Sequence, residues 1–243
     1  MIILSVGMPR AGSGWYYNLT HDLITAAGGQ DARQIRQNYR LQGILTEVNC
    51  NIGVLSARRL FAVLVPSILG NTFVIKAHAA PTSFGMLLIR LGWMRAAYIY
   101  RDPRDALLSA WENGQRAGER GAPNAFSHLT DFQTAKNFMN HYVAISEAWL
   151  NVSSVLHTKY EDLLTDYDTE VDHLMEFLRV DNQNQAMLKV VEKYRPEQAR
   201  AEQKGIHFSK GKIGRFRQKL TNEQQAQLVD AFGDYLQKRG YEL

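Results

Sequence analysis

The sequence predicts an α/β fold in three layers: a parallel sheet with helices on both faces and a phosphate-loop architecture at its first strand. Three observations lead there. Strand-like apolar runs at 2–6, 72–76, 96–101 and 153–158 are each followed by a segment with helical periodicity. That alternation calls for right-handed crossovers in a parallel sheet. Directly after the first run, Gly7 and Gly12 frame a loop that would turn backbone N–H groups toward an anion at a helix N-terminus. At 243 residues the chain suits one domain over 1–243 with a substantial core.

Each element follows from its residues. The run Ile2-Ile3-Leu4-Ser5-Val6 is a strand, and the helix after the glycine loop is predicted over 13–27. The largely apolar stretch 60–70 is too short to span a bilayer and reads as a buried helix. A strand over 72–76 leads to a helix over 83–91. The strand over 96–101 leads to a helix over 103–113, with Asp102 as N-cap, Pro103 at the first helical position and Asp105 three residues after the cap. Gly114, Gly118, Gly121 and Pro123 mark 114–127 as a long loop, a length often used for lids. Further helices are predicted over 128–150, 167–179 and 222–238. The segment 195–218 lacks clear periodicity and is expected to be a second mobile segment.

Composition narrows the class. Hydrophobic residues at 45% and charged residues at 21% are ordinary for a soluble globular chain. The lone Cys50 excludes an intrachain disulfide and fits a reducing compartment. With no basic region or cleavage pattern at the start, the expectation is a cytoplasmic protein without a transmembrane segment. The net charge of +4 is concentrated: residues 195–219 carry eight Lys or Arg against Glu197 and Glu202. With only Phe208 and Phe216 among them and no nucleic-acid motif, this excess reads as a clamp for an anionic ligand, and no nucleic acid is expected as partner. His21, His128, His141, His157, His173 and His207 lack metal-ligand spacing, so no metal is assigned.

In parallel α/β sheets, ligands bind beyond the carboxyl ends of the strands. That rule collects the loop with Arg10 after the first strand, Lys76-Ala77-His78 after the second, and Arg101 to Asp105 after the third. Tyr160-Glu161-Asp162 follows the fourth. Ser109, two turns along its helix from Asp102, shares a face with that helix start. A nucleotide-triphosphate loop would end in Gly-Lys-Ser/Thr. Here the lysine position is Ser13, the next is Gly14, and the cation has moved to Arg10. Such a loop suits a phosphate that needs no metal better than a γ-phosphoryl group. Glu161 and Asp162 read as helix N-terminal charges.

These residues resemble the sulfotransferase family. Pro9-Arg10-Ala11-Gly12-Ser13-Gly14-Trp15 is similar to that family's 5′-phosphosulfate loop, usually Pro-Lys-Ser-Gly-Thr-Thr-Trp. Arg101 with Ser109 resembles its 3′-phosphate motif, Lys76-Ala77-His78 its Lys-Thr-His, and Tyr160-Glu161-Asp162 its Tyr-Glu-Asp. Lys210-Gly211-Lys212-Ile213-Gly214 resembles the late Arg-Lys-Gly-x-x-Gly segment, with Ser209 where arginine is usual. The resemblance implies a phosphate-loop-like sulfotransferase fold. It also implies the donor 3′-phosphoadenosine 5′-phosphosulfate (PAPS) and the product 3′,5′-ADP. By the same resemblance His78 would be the general base, Arg10 and Lys76 would stabilise the leaving charge, and Trp15 and Tyr160 would form the adenine slot. Ser209, Lys210, Gly211 and Lys212 would join Arg101 and Ser109 at the 3′-phosphate.

The family's dimer motif would fall on Arg217, Thr221, Asn222 and Ala226, where most of it is lost, so the oligomeric state stays open. The acceptor is expected to be a small molecule, lipid or glycan, with walls from Phe84, Trp111, the 114–127 loop and the 128–150 helix. A P-loop kinase or NTPase, and a non-catalytic nucleotide or nucleic-acid module, remain as alternatives.

Overall fold

The computed structural model describes residues 1–181, 184–201 and 211–243. Its sheet has four parallel strands, β1 (Ile2–Gly7), β2 (Phe73–Ala77), β3 (Met94–Tyr100) and β4 (Leu156–Lys159), in the order β2-β1-β3-β4. The register places Ile2 beside both Phe73 and Met94, and Ala97 beside Leu156. Every residue of β1 and β2 is buried, as expected where helices cover both faces. Side chains alternate between two cores. Ile2, Leu4 and Val6 join one cluster with Leu60, Leu107, Trp149 and Phe232, while Ile3, Val74 and Ile99 join another with Trp15, Tyr16 and Leu174.

The helices are α1 (Ser13–Ala26), α2 (Ala32–Asn38), α3 (Ala57–Ile68), α4 (Ser83–Arg90), α5 (Pro103–Glu119), α6 (Phe132–Leu150), α7 (Tyr160–Thr165), α8 (Tyr167–Leu178), α9 (Gln185–Lys193), α10 (Pro196–Ala201), α11 (Phe216–Lys219) and α12 (Asn222–Lys238). Capping sets several boundaries. A capping box between Asp131 and Thr134 starts α6 at residue 132 rather than 128, and one between Thr221 and Gln224 starts α12 where expected. Asp102 caps α5 with Pro103 at its first position.

Three expectations change. Helix α5 runs on through Gly114 and Gly118 into the segment expected to be loop. Gly114 is needed there for close approach: a Cβ would come within 2.1 Å of the Phe126 carbonyl oxygen, where the following loop folds back on the helix. Part of the segment 195–218 is helical, in α10 and α11. Helix α3 buries Leu60, Val63 and Leu64, while Phe61, Val65 and Ile68 remain exposed, so the 60–70 stretch is buried on one side only. No helix among the described residues is long and apolar enough to cross a membrane.

Candidate active site

The carboxyl edge of the sheet carries the site because the chain leaves each strand there with a polar or glycine-rich segment. At the end of β1 the backbone packs so tightly that a Cβ on Gly7 would meet Ile99 Cγ2 at 2.6 Å. The loop then turns through two left-handed residues, Arg10 (φ 66°) and Gly12 (φ 76°). Only glycine suits the second: besides the strained φ, a Cβ there would lie 2.6 Å from the Tyr160 ring. Gly12 is the N-cap of α1 and offers no side-chain cap, so first-turn N–H groups face outward at the positive end of the helix dipole.

A cavity of about 410 Å³ opens over this turn. It brings together Pro9, Arg10, Gly12, Ser13, Gly14, Trp15, Lys76, His78, Arg101, Ser109, Tyr160, Gly211 and Lys212. Ala11 is fully buried beneath the loop, and Ser209 and Lys210 lie outside the described residues. The cavity also takes in residues that strand-end reasoning passed over: Asn49, Asn51, Glu112, Arg116 and Arg215. Asn51 arrives through an isolated parallel bridge to Lys76, flanked by hydrogen bonds from Lys76 N to Cys50 O and from Ile52 N to Lys76 O. No periodicity announces such a contact. Of the expected acceptor walls, Ala125, Phe126, Phe138 and Tyr142 line the cavity. Phe84 and Trp111 instead pack against the core, because α4 and α5 turn those positions inward.

His78 has one defined tautomer. Its Nδ1 lies 2.5 Å from the Gly7 carbonyl oxygen, which can only accept, so Nδ1 carries the proton and Nε2 keeps its lone pair. Burial lowers the His78 pKa to about 4, with the Lys76 cation adding to the effect. Lys76 is itself buried, and burial with the Arg10 cation brings its pKa down to about 8. Arg10 donates from Nε to Ser109 Oγ at 3.1 Å, and its guanidinium lies over the Phe126 ring, 5.6 Å from the centroid. Burial and then the Arg116 and Arg101 charges lower its pKa.

Arg101 lies next to Arg10 in the same cavity. It donates to the Arg10 carbonyl at 3.2 Å, the Lys212 carbonyl at 2.7 Å and Asp105 Oδ2 at 3.2 Å, and it stacks over Tyr160 at 4.5 Å. Its Nε is buried with no partner among the described residues. Asp105 also accepts from Gly214 N at 2.7 Å and Phe216 N at 3.1 Å, so one carboxylate ties α5 to the late segment. Glu161 is more than a helix-end charge: it is buried and accepts from Asp102 N and the Tyr241 hydroxyl. Burial raises its pKa. Trp15 is fully buried, stacked on Tyr167, and donates from Nε1 to the Tyr194 carbonyl at 3.0 Å. Much of the basic excess is paired: Arg195 with Asp168 and Glu192, Arg215 with Glu112, Arg217 with Glu242. Among the described residues no cluster of three or more His, Cys, Asp or Glu could hold a metal.

Known proteins share this fold. Solved structures with a similar fold include mouse sulfotransferase SULT7A1 complexed with PAP, at 14% identity and TM-score 0.61, covering 97% of this chain and 83% of that one. Retinol dehydratase is similar in two complexes. With androsterone and the inactive cofactor PAP, identity is 17% and the TM-score 0.59; with retinol and PAP, 16% and 0.60; each covers 100% of this chain and 82% of the other. At these identities the likeness establishes the fold. No curated protein sequence matches the chain significantly. Residues 2–240, however, match the family described as the sulfotransferase domain, and on that nearly full-length match the chain belongs to the sulfotransferase family.

Proposed function

We propose that this chain, as one domain, transfers a sulfuryl group from PAPS to the hydroxyl or amine of a small-molecule, lipid or glycan acceptor, with His78 as general base and without metal. The carrying observation is one cavity that gathers a neutral imidazole lone pair with the cations Arg10, Lys76, Arg101 and Lys212, with Ser109 held by Arg10. A ligand that carries phosphate at more than one position suits that many cations. The residues fit such a donor on two counts: the first turn of α1 has no side-chain cap, and Arg101 Nε is a buried donor without a partner among the described residues. In this reading the loop 9–15 holds the 5′ end. Arg101, Ser109, Gly211 and Lys212, with Ser209 and Lys210, hold the 3′-phosphate, and Tyr160 and Trp15 bound the adenine.

The donor supplies a sulfuryl group activated by its bond to phosphate. His78 Nε2 accepts the acceptor's proton, and the resulting imidazolium is oriented by the Gly7 carbonyl on Nδ1. Lys76 and Arg10 offset the negative charge that accumulates on the departing oxygens. Arginine stays charged through the reaction, so its contribution is electrostatic rather than proton donation. The aromatic wall of Phe126, Phe138 and Tyr142 supports an apolar acceptor, as do the androsterone and retinol seated in the retinol dehydratase complexes. The test is transfer of radiolabel from PAPS to a panel of alcohols and amines. His78→Ala is expected to lower turnover by roughly 10²–10⁴-fold while 3′,5′-ADP affinity changes only a few-fold. Retained turnover in that variant would remove His78 as the base.

A further inference from the structure

We propose that the outer face of α3 and α4 docks on an anionic lipid surface. Helix α3 presents Phe61, Val65 and Ile68 at helical spacing, with Leu69 just beyond, and α4 and the turn after it present Leu87, Leu91 and Trp93. Their exposure runs from 41% for Val65 to 65% for Ile68 and Leu69, so these are outward side chains rather than the rims of core residues. The two helices share one layer, with Gly85 of α4 packed against Leu60 of α3. Because Leu60, Val63 and Leu64 already face the core, α3 is apolar on both sides, a pattern that leaves one side in need of a partner.

The charges select the partner. Arg58 and Arg90 are exposed on these same helices, and no Asp or Glu occurs anywhere in residues 48–101. An apolar face with aromatic residues, edged by arginines and lacking acids of its own, complements the negative headgroups and upper acyl region of an anionic leaflet. A second copy of this chain is the poorer occupant. An isologous pairing would bring the same cations toward one another with no acid on either helix to offset them. No described helix can span a bilayer, so the contact is one of lying on the surface. The turns after α3 and α4 lead into the amino ends of β2 and β3. The contact therefore reaches the end of the sheet opposite the cavity, and none of its residues lines the cavity.

The experiment is flotation of the full chain with phosphatidylcholine vesicles, with and without phosphatidylglycerol, alongside sedimentation of the protein alone. Binding is expected only where phosphatidylglycerol is present, weakening as salt is raised. Phe61→Glu combined with Ile68→Glu should cut partitioning by roughly tenfold or more. Arg58→Ala and Arg90→Ala should each cut it by about fivefold. These positions lie outside the cavity, so unchanged 3′,5′-ADP affinity shows that each variant is folded. If the double variant does not fold, the two arginine variants decide. Failure of the native chain to float with either vesicle would overturn the proposal, as would undiminished flotation of the variants. So would a dimer that the glutamate pair dissociates, because it would assign the face to a second copy.

Discussion

His78 and Lys76 lie two residues apart at the end of β2, and burial disfavours the charged form of both. The Lys76 cation adds to that effect at His78, and the Arg10 cation adds to it at Lys76. A base must be unprotonated, so turnover through His78 falls as pH drops through its value of about 4 in the free protein. Lys76 must be charged to stabilise departing oxygens, so activity also falls as pH rises through about 8. The pH profile of kcat/KM, which reports the free enzyme, should therefore be bell-shaped with limbs near those two values. The limb due to Lys76 should move upward in kcat, because a bound anion favours the ammonium form. A kcat/KM that stays flat well above pH 8 would remove the Lys76 charge from the mechanism.

At the scale of elements, Asp105 joins the start of α5 to the late segment. One carboxylate holds Arg101 and accepts from Gly214 N and Phe216 N, so the segment that carries Lys212 is fixed across the cavity from α1. Asp105→Asn, which keeps the shape but weakens the Arg101 pair, is expected to raise the KM for PAPS by about tenfold and to change kcat little. Asp105→Ala leaves a buried guanidinium short of its carboxylate and should cost ~3–5 kcal/mol of stability. Thermal unfolding and initial-rate kinetics separate the two effects. The Asn variant disproves the fastening role if its KM is unchanged.

The sequence displayed β1, β2 and β3 well because both of their faces are buried, which leaves Ile-, Val- and Ala-rich runs. It set the fourth strand over 153–158, whereas β4 is Leu156–Lys159, because Leu-His-Thr-Lys is only partly buried and lacks that signal. It displayed α12 because Thr221 and Gln224 form a capping box. Helix α2 escaped notice: Ala-Arg-Gln-Ile-Arg-Gln-Asn is short and polar, buries only Ala32 and Ile35, and depends on the Asp31 cap. Within the site, the groups at strand ends were legible by position. The Arg10–Ser109 hydrogen bond and the Asn51–Lys76 bridge were not, because each joins residues far apart in sequence and leaves no local pattern.

For the molecule as a whole, the parallel sheet holds two cores apart and keeps the cavity at their common edge. The loop after β1, the start of α5 and the segment 211–216 meet there through Arg10, Arg101 and Asp105. A ligand that bridges these cations would stabilise the entire fold by mass action. At 100 times its dissociation constant the gain is about 2.7 kcal/mol, which for a chain of this size should raise Tm by roughly 5–11 °C. Titration of the protein with 3′,5′-ADP in the presence of a metal chelator, followed by thermal unfolding, therefore reads this two-phosphate site directly. Tight, metal-independent binding with a rise in Tm of that size is the predicted result. Binding of ATP that requires magnesium, together with no binding of 3′,5′-ADP, would contradict it.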